Sequence, residues 1–357
     1  MSDNHQPIPV YTAAALQIAC KTVNYCPDAE SAAKVRKASL ERIEGYVNIL
    51  CSFVHFHNGS TVRLVVLPEY ILSGFPLGDS HEAWHAKGTI RYDGPEYEHF
   101  GKIAQQNKIF LAGNVYEIDP NFPDLYFQTC FIIGPNGDVI LRYRRLSSAF
   151  EPTPHDVWEK YLDIYGLEGV FPVAKTEIGN LACIASEEIM WPELVRCNVL
   201  RGAEVLIHPT SEPGSPKTTD REACRKARAI ENALYIISAN TSSIDDMPIP
   251  AYTCSAMSKI VDYRGDIMAE AAAGGESMLA HAVLQIEAQR EQRRRVGMAN
   301  LLLRQPTDIY AAMYAAYPLR TGNGLMKDGK VMDPPDRDWF HKLQNDNIQR
   351  LTDAGLL

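Results

Sequence analysis

A buried strand that turns abruptly into a helix is predicted by the stretch Leu181-Ala-Cys-Ile-Ala-Ser-Glu-Glu-Ile-Met-Trp-Pro-Glu193. Its first five residues are small or apolar, which is typical of a strand covered on both faces. Pro192 suits the first turn of a helix, and Gly202 suits the residue after its end. Ser186 and Glu187 are therefore expected at a sheet edge beside a helix N-terminus, where open α/β folds bind ligands.

Strands and helices alternate on both sides of this stretch. Buried strands are predicted at Ala13–Cys20, Leu64–Glu69, Ile109–Val115, Glu204–His208, Leu234–Asn240 and Met278–Val283. Amphipathic helices are predicted at Asp28–His57, Glu96–Asn107 and Asp220–Asn232. Hairpins are predicted at Phe127–Tyr143, with an Asn-Gly turn, and at Ser255–Ile267. This alternation indicates one sandwich-like α/β domain rather than two domains.

The sandwich domain is predicted to span residues 1–290, and residues 291–357 are predicted to form a tail. The tail contains helical pieces at Thr307–Tyr314 and Asp338–Asp353, and we expect it to pack on a neighbouring subunit. Within the domain, the polar and proline-containing stretch Ser147–Leu167 is predicted to be a long loop, a kind of segment that often carries function.

Composition narrows the class of protein. The 357 residues carry a net charge of −9 and have one short basic run, within residues 290–295, so no nucleic-acid surface is expected. The eight cysteines are scattered, without a C-x-x-C pair or a histidine at zinc spacing, which indicates a reducing compartment and no metal. The N-terminus lacks a signal-peptide pattern, and no apolar run has the length of a membrane span. We therefore expect a cytoplasmic protein that does not enter a membrane.

Several short motifs follow one another in a fixed order. Pro68-Glu69 ends one predicted strand, and Ser186 lies six positions before Pro192. The other motifs are Leu67-Pro-Glu-Tyr70, Leu141-Arg-Tyr-Arg-Arg145, Trp191-Pro-Glu193 with Arg196, Gly202-Ala-Glu-Val-Leu-Ile-His-Pro209 and Arg228-Ala-Ile-Glu-Asn232. In the order and spacing of these motifs, the first 290 residues resemble the nitrilase, or carbon–nitrogen hydrolase, superfamily.

The resemblance implies an αββα four-layer sandwich that dimerises through the sandwich, with a catalytic set of Glu, Lys and Cys. Glu69 matches the general base, Arg145 stands where the family has lysine, and Ser186 stands where it has the nucleophilic cysteine. Cys183 lies three positions earlier on the strand, so its side chain is expected to leave from the opposite face. The resemblance further implies a small-molecule substrate, a homodimer or higher oligomer, and neither metal nor organic cofactor.

The two replacements change the chemistry that the site can perform. The Ser186 hydroxyl is far less acidic than a thiol and needs a base, for which Glu69 is the candidate. Arg145 can stabilise an oxyanion, but it cannot release a proton at neutral pH. Nitrile chemistry, which needs a soft nucleophile and proton delivery to nitrogen, is therefore disfavoured. Attack on an amide or ester carbonyl remains open, with the backbone N–H of Glu187 and Arg145 forming the oxyanion site.

Tyr70, Glu151 and Glu187 are predicted to bind substrate. Tyr70 follows the base and can orient a carbonyl, and Glu151 lies roughly where the resemblance places a supporting carboxylate. Together with Glu69 and Glu188, the carboxylates of Glu151 and Glu187 predict an acidic pocket that Arg145 only partly neutralises and that favours a cationic or neutral substrate. Purely structural roles remain alternatives: Arg145 in an ion pair with Glu69 or Glu151, and Ser186 as a small residue without a catalytic role.

Two functions therefore stay open from the sequence. The first is an amidase-type hydrolase that acts on a small non-peptide carbon–nitrogen bond through the altered Glu69, Arg145 and Ser186 set. The second is a catalytically inactive nitrilase-like protein that binds a small molecule or a partner, because two of the three catalytic positions are replaced.

Overall fold

The structure, a computed structural model, describes residues 7–213 and 218–357. Residues 1–6 lie outside these ranges. The expectation that the N-terminus lacks a signal peptide rests partly on these residues. The helices are α1 (Ala29–Asn58), α2 (His81–Lys87), α3 (Pro95–Asn107), α4 (Trp158–Val170), α5 (Pro192–Leu200), α6 (Asp220–Asn232), α7 (Ile286–Arg294), α8 (Thr307–Ala316) and α9 (Arg337–Asp353).

The strands follow the same chain order. They are β1 (Tyr11–Ala15), β2 (Cys20–Lys21), β3 (Val62–Val66), β4 (Thr89–Arg91), β5 (Phe110–Asp119), β6 (Phe122–Ile133), β7 (Val139–Arg144), β8 (Ala174–Thr176), β9 (Gly179–Cys183), β10 (Val205–Thr210), β11 (Tyr235–Asn240), β12 (Ile244–Asp245), β13 (Lys259–Val261), β14 (Ile267–Glu270), β15 (His281–Leu284), β16 (Met326–Lys327) and β17 (Lys330–Val331).

Two main sheets organise these strands. The first has the order β15-β1-β3-β5-β6-β7, with β4 paired to β5, and the second has the order β14-β13-β11-β10-β9-β8. The central pairs are parallel, β1 with β3 and β3 with β5 in the first sheet, and β9 with β10 and β10 with β11 in the second. Parallel strands need covering on both faces, which matches the nearly continuous apolar runs in these segments.

The core shows how the layers stack. Along β3 and just beyond it, Leu64 and Val66 pack in the cluster that contains side chains of both sheets, whereas Val65 and Leu67 pack in the cluster that contains α1 and α3. This alternation is the two-residue period of a strand. Side chains of α5 and α6 join the cluster of the second sheet. The order of layers is helix, sheet, sheet, helix, so the predicted αββα sandwich is confirmed.

One prediction of local structure is wrong. The stretch predicted as a loop, Ser147–Leu167, contains a 3₁₀ turn at Pro154–Val157 and most of α4. Tyr161 of α4 is buried in a cluster with Phe122 and Phe127 of β6. The helix predicted with Pro192 in its first turn is confirmed as α5, and a 3₁₀ turn, Ser186–Met190, precedes it.

Part of the tail lies against the segment that follows β7. The backbone N–H of Leu325 donates to the carbonyl of Asp156 at 2.9 Å, and Gln344 donates to the carbonyl of Ala149 at 3.1 Å. Phe340 of α9 is buried. In contrast, α8 has no buried side chain. No helix in the described ranges combines the length and the apolar character needed to cross a membrane.

The side chain of Leu64 is fully buried between the two sheets, so its truncation is predicted to destabilise the folded state strongly. We expect Leu64→Ala to lower the free energy of unfolding by about 2–5 kcal/mol, because the lost contacts leave a cavity. Val10→Ala, at a side chain that is 65% exposed, is the control and should change it by less than about 0.5 kcal/mol. Urea unfolding measures both values, and equal losses would contradict the assigned packing.

Candidate active site

The predicted catalytic residues lie just beyond strand ends that meet at one edge of the sandwich. Glu69 lies shortly after β3, Arg145 follows β7, and Ser186 lies shortly after β9. Arg145 Nη1 lies 3.5 Å from Glu69 Oε1, and Arg145 Nη2 donates to the carboxylate of Glu187, the neighbour of Ser186. The structure therefore brings the three predicted positions to one site.

The carboxylate of Glu69 is fully buried and held at both oxygens. Gln128 Nε2 donates to Oε1 at 2.7 Å, and the hydroxyl of Ser211 donates to Oε2 at 2.6 Å. The side chain of Arg145 adds a positive charge beside Oε1. These contacts fix the carboxylate in one orientation at the bottom of the site, as a positioned base requires.

Each of the three guanidinium nitrogens of Arg145 donates a hydrogen bond to a protein acceptor. Nε donates to the carbonyl of Ser147 at 2.5 Å, Nη1 to Gln128 Oε1 at 2.7 Å, and Nη2 to Glu187. Burial alone lowers the pKa of Arg145, but the neighbouring Tyr70, Glu69 and Glu187 raise the pKa above its ordinary value. The group is a permanent cation, which can stabilise negative charge and does not deliver a proton.

Ser186 has a backbone conformation that is unusual for serine. Its φ angle is 49°, in the left-handed region, and only 5% of the residue is exposed. Its carbonyl accepts a hydrogen bond from His208 Nε2 at 2.7 Å. Its hydroxyl forms no hydrogen bond to any residue in the described part of the chain, so Ser186 and Glu69 are not pre-assembled as a hydrogen-bonded pair.

Tyr70 lies beside the buried carboxylate. It has a φ angle of 55°, and its ring stacks on Tyr116 at a centroid distance of 5.5 Å. Burial, with a further contribution from the charge of Glu69, raises the pKa of Tyr70 well above its ordinary value. The phenol therefore stays protonated and can donate a hydrogen bond.

Glu151 lines a cavity of about 600 Å³, together with Tyr126, Phe150 and Arg337 of the tail. Burial raises the pKa of Glu151 from 4.5 to about 7, while a hydrogen bond with Tyr126 and the charge of Arg145 oppose this shift. Because Glu151 is partly protonated at neutral pH and Glu187 is paired with Arg145, the pocket carries less free negative charge than the sequence predicts.

Glu188 connects the loop that contains Ser186 to the segment that follows β7. Its carboxylate accepts hydrogen bonds from the hydroxyl of Tyr143 at 2.9 Å and from the backbone N–H groups of Ala185 at 2.9 Å, Leu146 at 2.8 Å and Ser147 at 3.1 Å. Burial raises the pKa of Glu188 above its ordinary value, and Arg145 opposes this. These bonds tie the loop of Ser186 to the segment that follows β7.

Sequence reasoning missed several of these contacts. Gln128, which binds both Glu69 and Arg145, is a polar residue in an apolar strand, a signal that could have identified it. Ser211 follows β10 without a recognisable motif. Cys183 packs in the core between the sheets, where burial raises the pKa of its thiol well above the ordinary value, so it does not serve as a nucleophile.

Across residues 7–213 and 218–357, no group of three or more His, Cys, Asp or Glu side chains is arranged to hold a metal ion. The site presents a buried carboxylate, a buried cation and a hydroxyl at the edge of an αββα sandwich.

This architecture is that of the nitrilase superfamily. The sequence profile of the carbon-nitrogen hydrolase family matches residues 12–295, so the chain belongs to this family and the predicted resemblance is confirmed. Its relatives include amidase-type hydrolases. The chain is 26% identical to a formamidase of Bradyrhizobium sp. (strain ORS 278) over 268 residues, which cover 75% of this chain and 72% of that protein.

Two further comparisons agree with this assignment. The omega-amidase NIT2 of Homo sapiens is 21% identical over 264 residues, which cover 73% of this chain and 89% of that protein. The crystal structure of Nit3 from Saccharomyces cerevisiae superposes with a TM-score of 0.63 at 19% identity, over 86% of this chain and 99% of that chain. At this identity the structural likeness establishes the fold alone.

The environment of Glu151 predicts a pH-dependent stability. The folded state holds the carboxyl proton more tightly than the unfolded chain, so this contribution is complete below pH 4.5 and is lost as the pH rises through about 7. Glu151→Gln cannot ionise. Relative to this variant, the free energy of unfolding of the wild type should fall by up to about 3 kcal/mol between pH 4.5 and 8.

Urea unfolding at a series of pH values measures this difference. Glu82→Gln, at an exposed position on the rim of the same cavity, is the matched variant. The same pH dependence in both variants would show that Glu151 is not the group responsible.

Proposed function

We propose that this protein is an amidase-type hydrolase that cleaves a small non-peptide amide through Glu69, Arg145 and Ser186. The observation that carries the proposal is the buried contact of Arg145 with both Glu69 and Glu187, the neighbour of Ser186. Membership of the carbon-nitrogen hydrolase family and the amidase names of the relatives support the reaction class. The cavity that Glu151 lines has the volume of a small-molecule site, and its lining residues do not include Glu69, Arg145 or Ser186.

In the proposed acylation, Glu69 takes the hydroxyl proton of Ser186 as the serine oxygen bonds to the amide carbon. The carbonyl electron pair moves to oxygen, where Arg145 and the backbone N–H of Glu187 stabilise the charge. Glu69 then gives the proton to the leaving nitrogen as the carbon–nitrogen bond breaks. The amine leaves, and an ester remains on Ser186.

In the proposed deacylation, a water molecule attacks the ester while Glu69 takes one of its protons. The bond between the acyl carbon and the serine oxygen breaks, the proton returns to Ser186, and a carboxylic acid is released. Tyr70 and Glu151 are proposed to bind substrate, because one can donate a hydrogen bond and the other lines the cavity.

This mechanism predicts that Ser186→Ala and Glu69→Gln each lower kcat for amide hydrolysis by at least about 1,000-fold, because each removes a group that makes or breaks a bond. Ser52→Ala, at an exposed serine of α1, is the matched control and should retain full activity. Turnover is measured over a panel of small amides, esters and nitriles, and mass spectrometry should detect an acyl adduct on Ser186. Undiminished turnover in Ser186→Ala would exclude the mechanism.

A catalytically inactive protein that binds a small molecule is the second candidate. Two observations favour it: the three nitrogens of Arg145 already donate to protein acceptors, and the hydroxyl of Ser186 has no hydrogen bond within the described residues. For this candidate, a ligand should raise Tm without forming product.

The double substitution Arg145→Lys with Ser186→Cys separates the two candidates. It restores the residues that the family resemblance implies at both positions, so we expect it to hydrolyse simple amides whichever candidate holds for the wild type. Activity in the double variant alone would establish an amidase pocket in an inactive chain. Activity in the wild type that depends on Glu69 would exclude the inactive candidate.

We further propose that the protein acts in the cytoplasm as a homodimer or higher oligomer, without a metal or organic cofactor. The scattered, unpaired cysteines support the compartment. The absence of any buried side chain in α8 supports a role for the tail, residues 291–357, in contacts with a neighbouring subunit. Sedimentation velocity of the full chain and of a chain ending at residue 295 tests this assembly.

A further inference from the structure

We propose that His208 is a positioning residue that orients the backbone N–H of Glu187 by holding the carbonyl of Ser186. The inference rests on the proposed function, in which this N–H stabilises the oxyanion. It assigns a task to a buried imidazole that belongs to the motif Gly202–Pro209.

The hydrogen bonds of His208 fix its tautomer. The residue is fully buried on β10, and its Nε2 lies 2.7 Å from the carbonyl oxygen of Ser186. A carbonyl oxygen only accepts, so Nε2 carries the proton. Nδ1 lies 2.9 Å from the hydroxyl of Ser238, the residue opposite His208 in the β10–β11 register, and accepts from that hydroxyl.

The surroundings keep this imidazole neutral. Burial, followed by the charge of Arg225, lowers the pKa of His208 well below its ordinary value. Arg225 Nε lies 3.5 Å from His208 Nδ1, on the same side of the ring as Ser238. His208 is therefore a fixed donor at Nε2.

The bond to Ser186 also determines where the next N–H points. The carbonyl of Ser186 and the N–H of Glu187 belong to one planar trans peptide, so they point in opposite directions. With the carbonyl directed at His208, the N–H of Glu187 is directed away from it. No residue in the described ranges accepts a hydrogen bond from this N–H, which leaves it available to a substrate oxygen.

The conformation of Ser186 explains why this peptide needs an external partner. A φ angle of 49° is unfavourable for a residue with a side chain, and such conformations persist only where neighbouring contacts hold them. Without the donor of His208, rotation of the peptide would relieve the conformation and redirect the N–H of Glu187.

Two substitutions separate this role from ordinary packing. The amide nitrogen of His208→Gln reaches about as far as Nε2 and can still donate to Ser186. The shorter His208→Asn can bond to Ser238 but does not reach Ser186. Since loss of one oxyanion donor lowers kcat about 100-fold or more, we expect His208→Asn to lose about 100-fold in kcat with KM changed less than about threefold. His208→Gln should recover at least about tenfold of that loss.

Gln289→Leu is the control for stability. Gln289 is fully buried and donates to the carbonyls of Glu204, at 2.7 Å, and Ala233, at 2.8 Å, which precede β10 and β11 at the other end of these strands. Its loss should lower Tm and leave kcat unchanged. Equal kcat in the Gln and Asn variants of His208 would overturn the proposal. A loss of kcat in Gln289→Leu as large as the loss in His208→Asn would overturn it as well, because kcat would then follow Tm.

Crystal structures of the wild type and His208→Asn provide a readout that does not require turnover. The expected result is a rotated peptide between Ser186 and Glu187 in the variant. An unchanged peptide would overturn the positioning role even if the wild type is an active amidase. A rotated peptide in His208→Asn, together with a wild type that shows no turnover, would support the positioning role while the proposed function fails.

Discussion

The buried pair of Glu69 and Arg145 is the constraint on which the rest of this site depends. Two opposite charges that are almost fully removed from water are tolerated only when they meet each other and have further hydrogen bonds. The first sheet supplies these bonds across neighbouring strands: Asn114 of β5 accepts from Gln128 of β6, and Gln128 bonds to both charged groups. The position of the Glu69 carboxylate therefore depends on the register of β5, β6 and β7.

The second sheet completes the site from the other side. Ser211 beyond β10 donates to Glu69, and the loop of Ser186 is tied to the segment after β7 by Glu188. These contacts cross between the two sheets, so the packing of the sandwich sets the distance between the Glu69 carboxylate and the Ser186 hydroxyl. A change in sheet packing therefore moves these two groups relative to one another.

The sequence predicts helices and strands correctly where apolar residues recur at a regular spacing. The predicted helix Asp220–Asn232 coincides with α6, and the predicted strand Leu234–Asn240 differs from β11 by one residue, because apolar residues recur there with regular spacing. By contrast, α4 lies in a stretch predicted as a loop. Its buried face has apolar residues at helical spacing, namely Trp158, Tyr161, Leu162 and Tyr165, which pack with Phe122 and Phe127. The local pattern therefore indicates a helix that the loop prediction overlooks.

The sequence alone determined the family and, through it, the αββα class, because motifs in a fixed order are a property of the chain itself. Glu69, Arg145 and Ser186, whose catalytic roles are proposed, lie in or beside those motifs. Only the tertiary structure decided which donors hold the carboxylate and which contact supports the left-handed conformation of Ser186. Gln128 lies on β6 of the first sheet, whereas His208 lies on β10 of the second sheet and Ser211 directly follows that strand. Their roles depend on side chains that converge in space, and spacing along the chain does not encode that convergence.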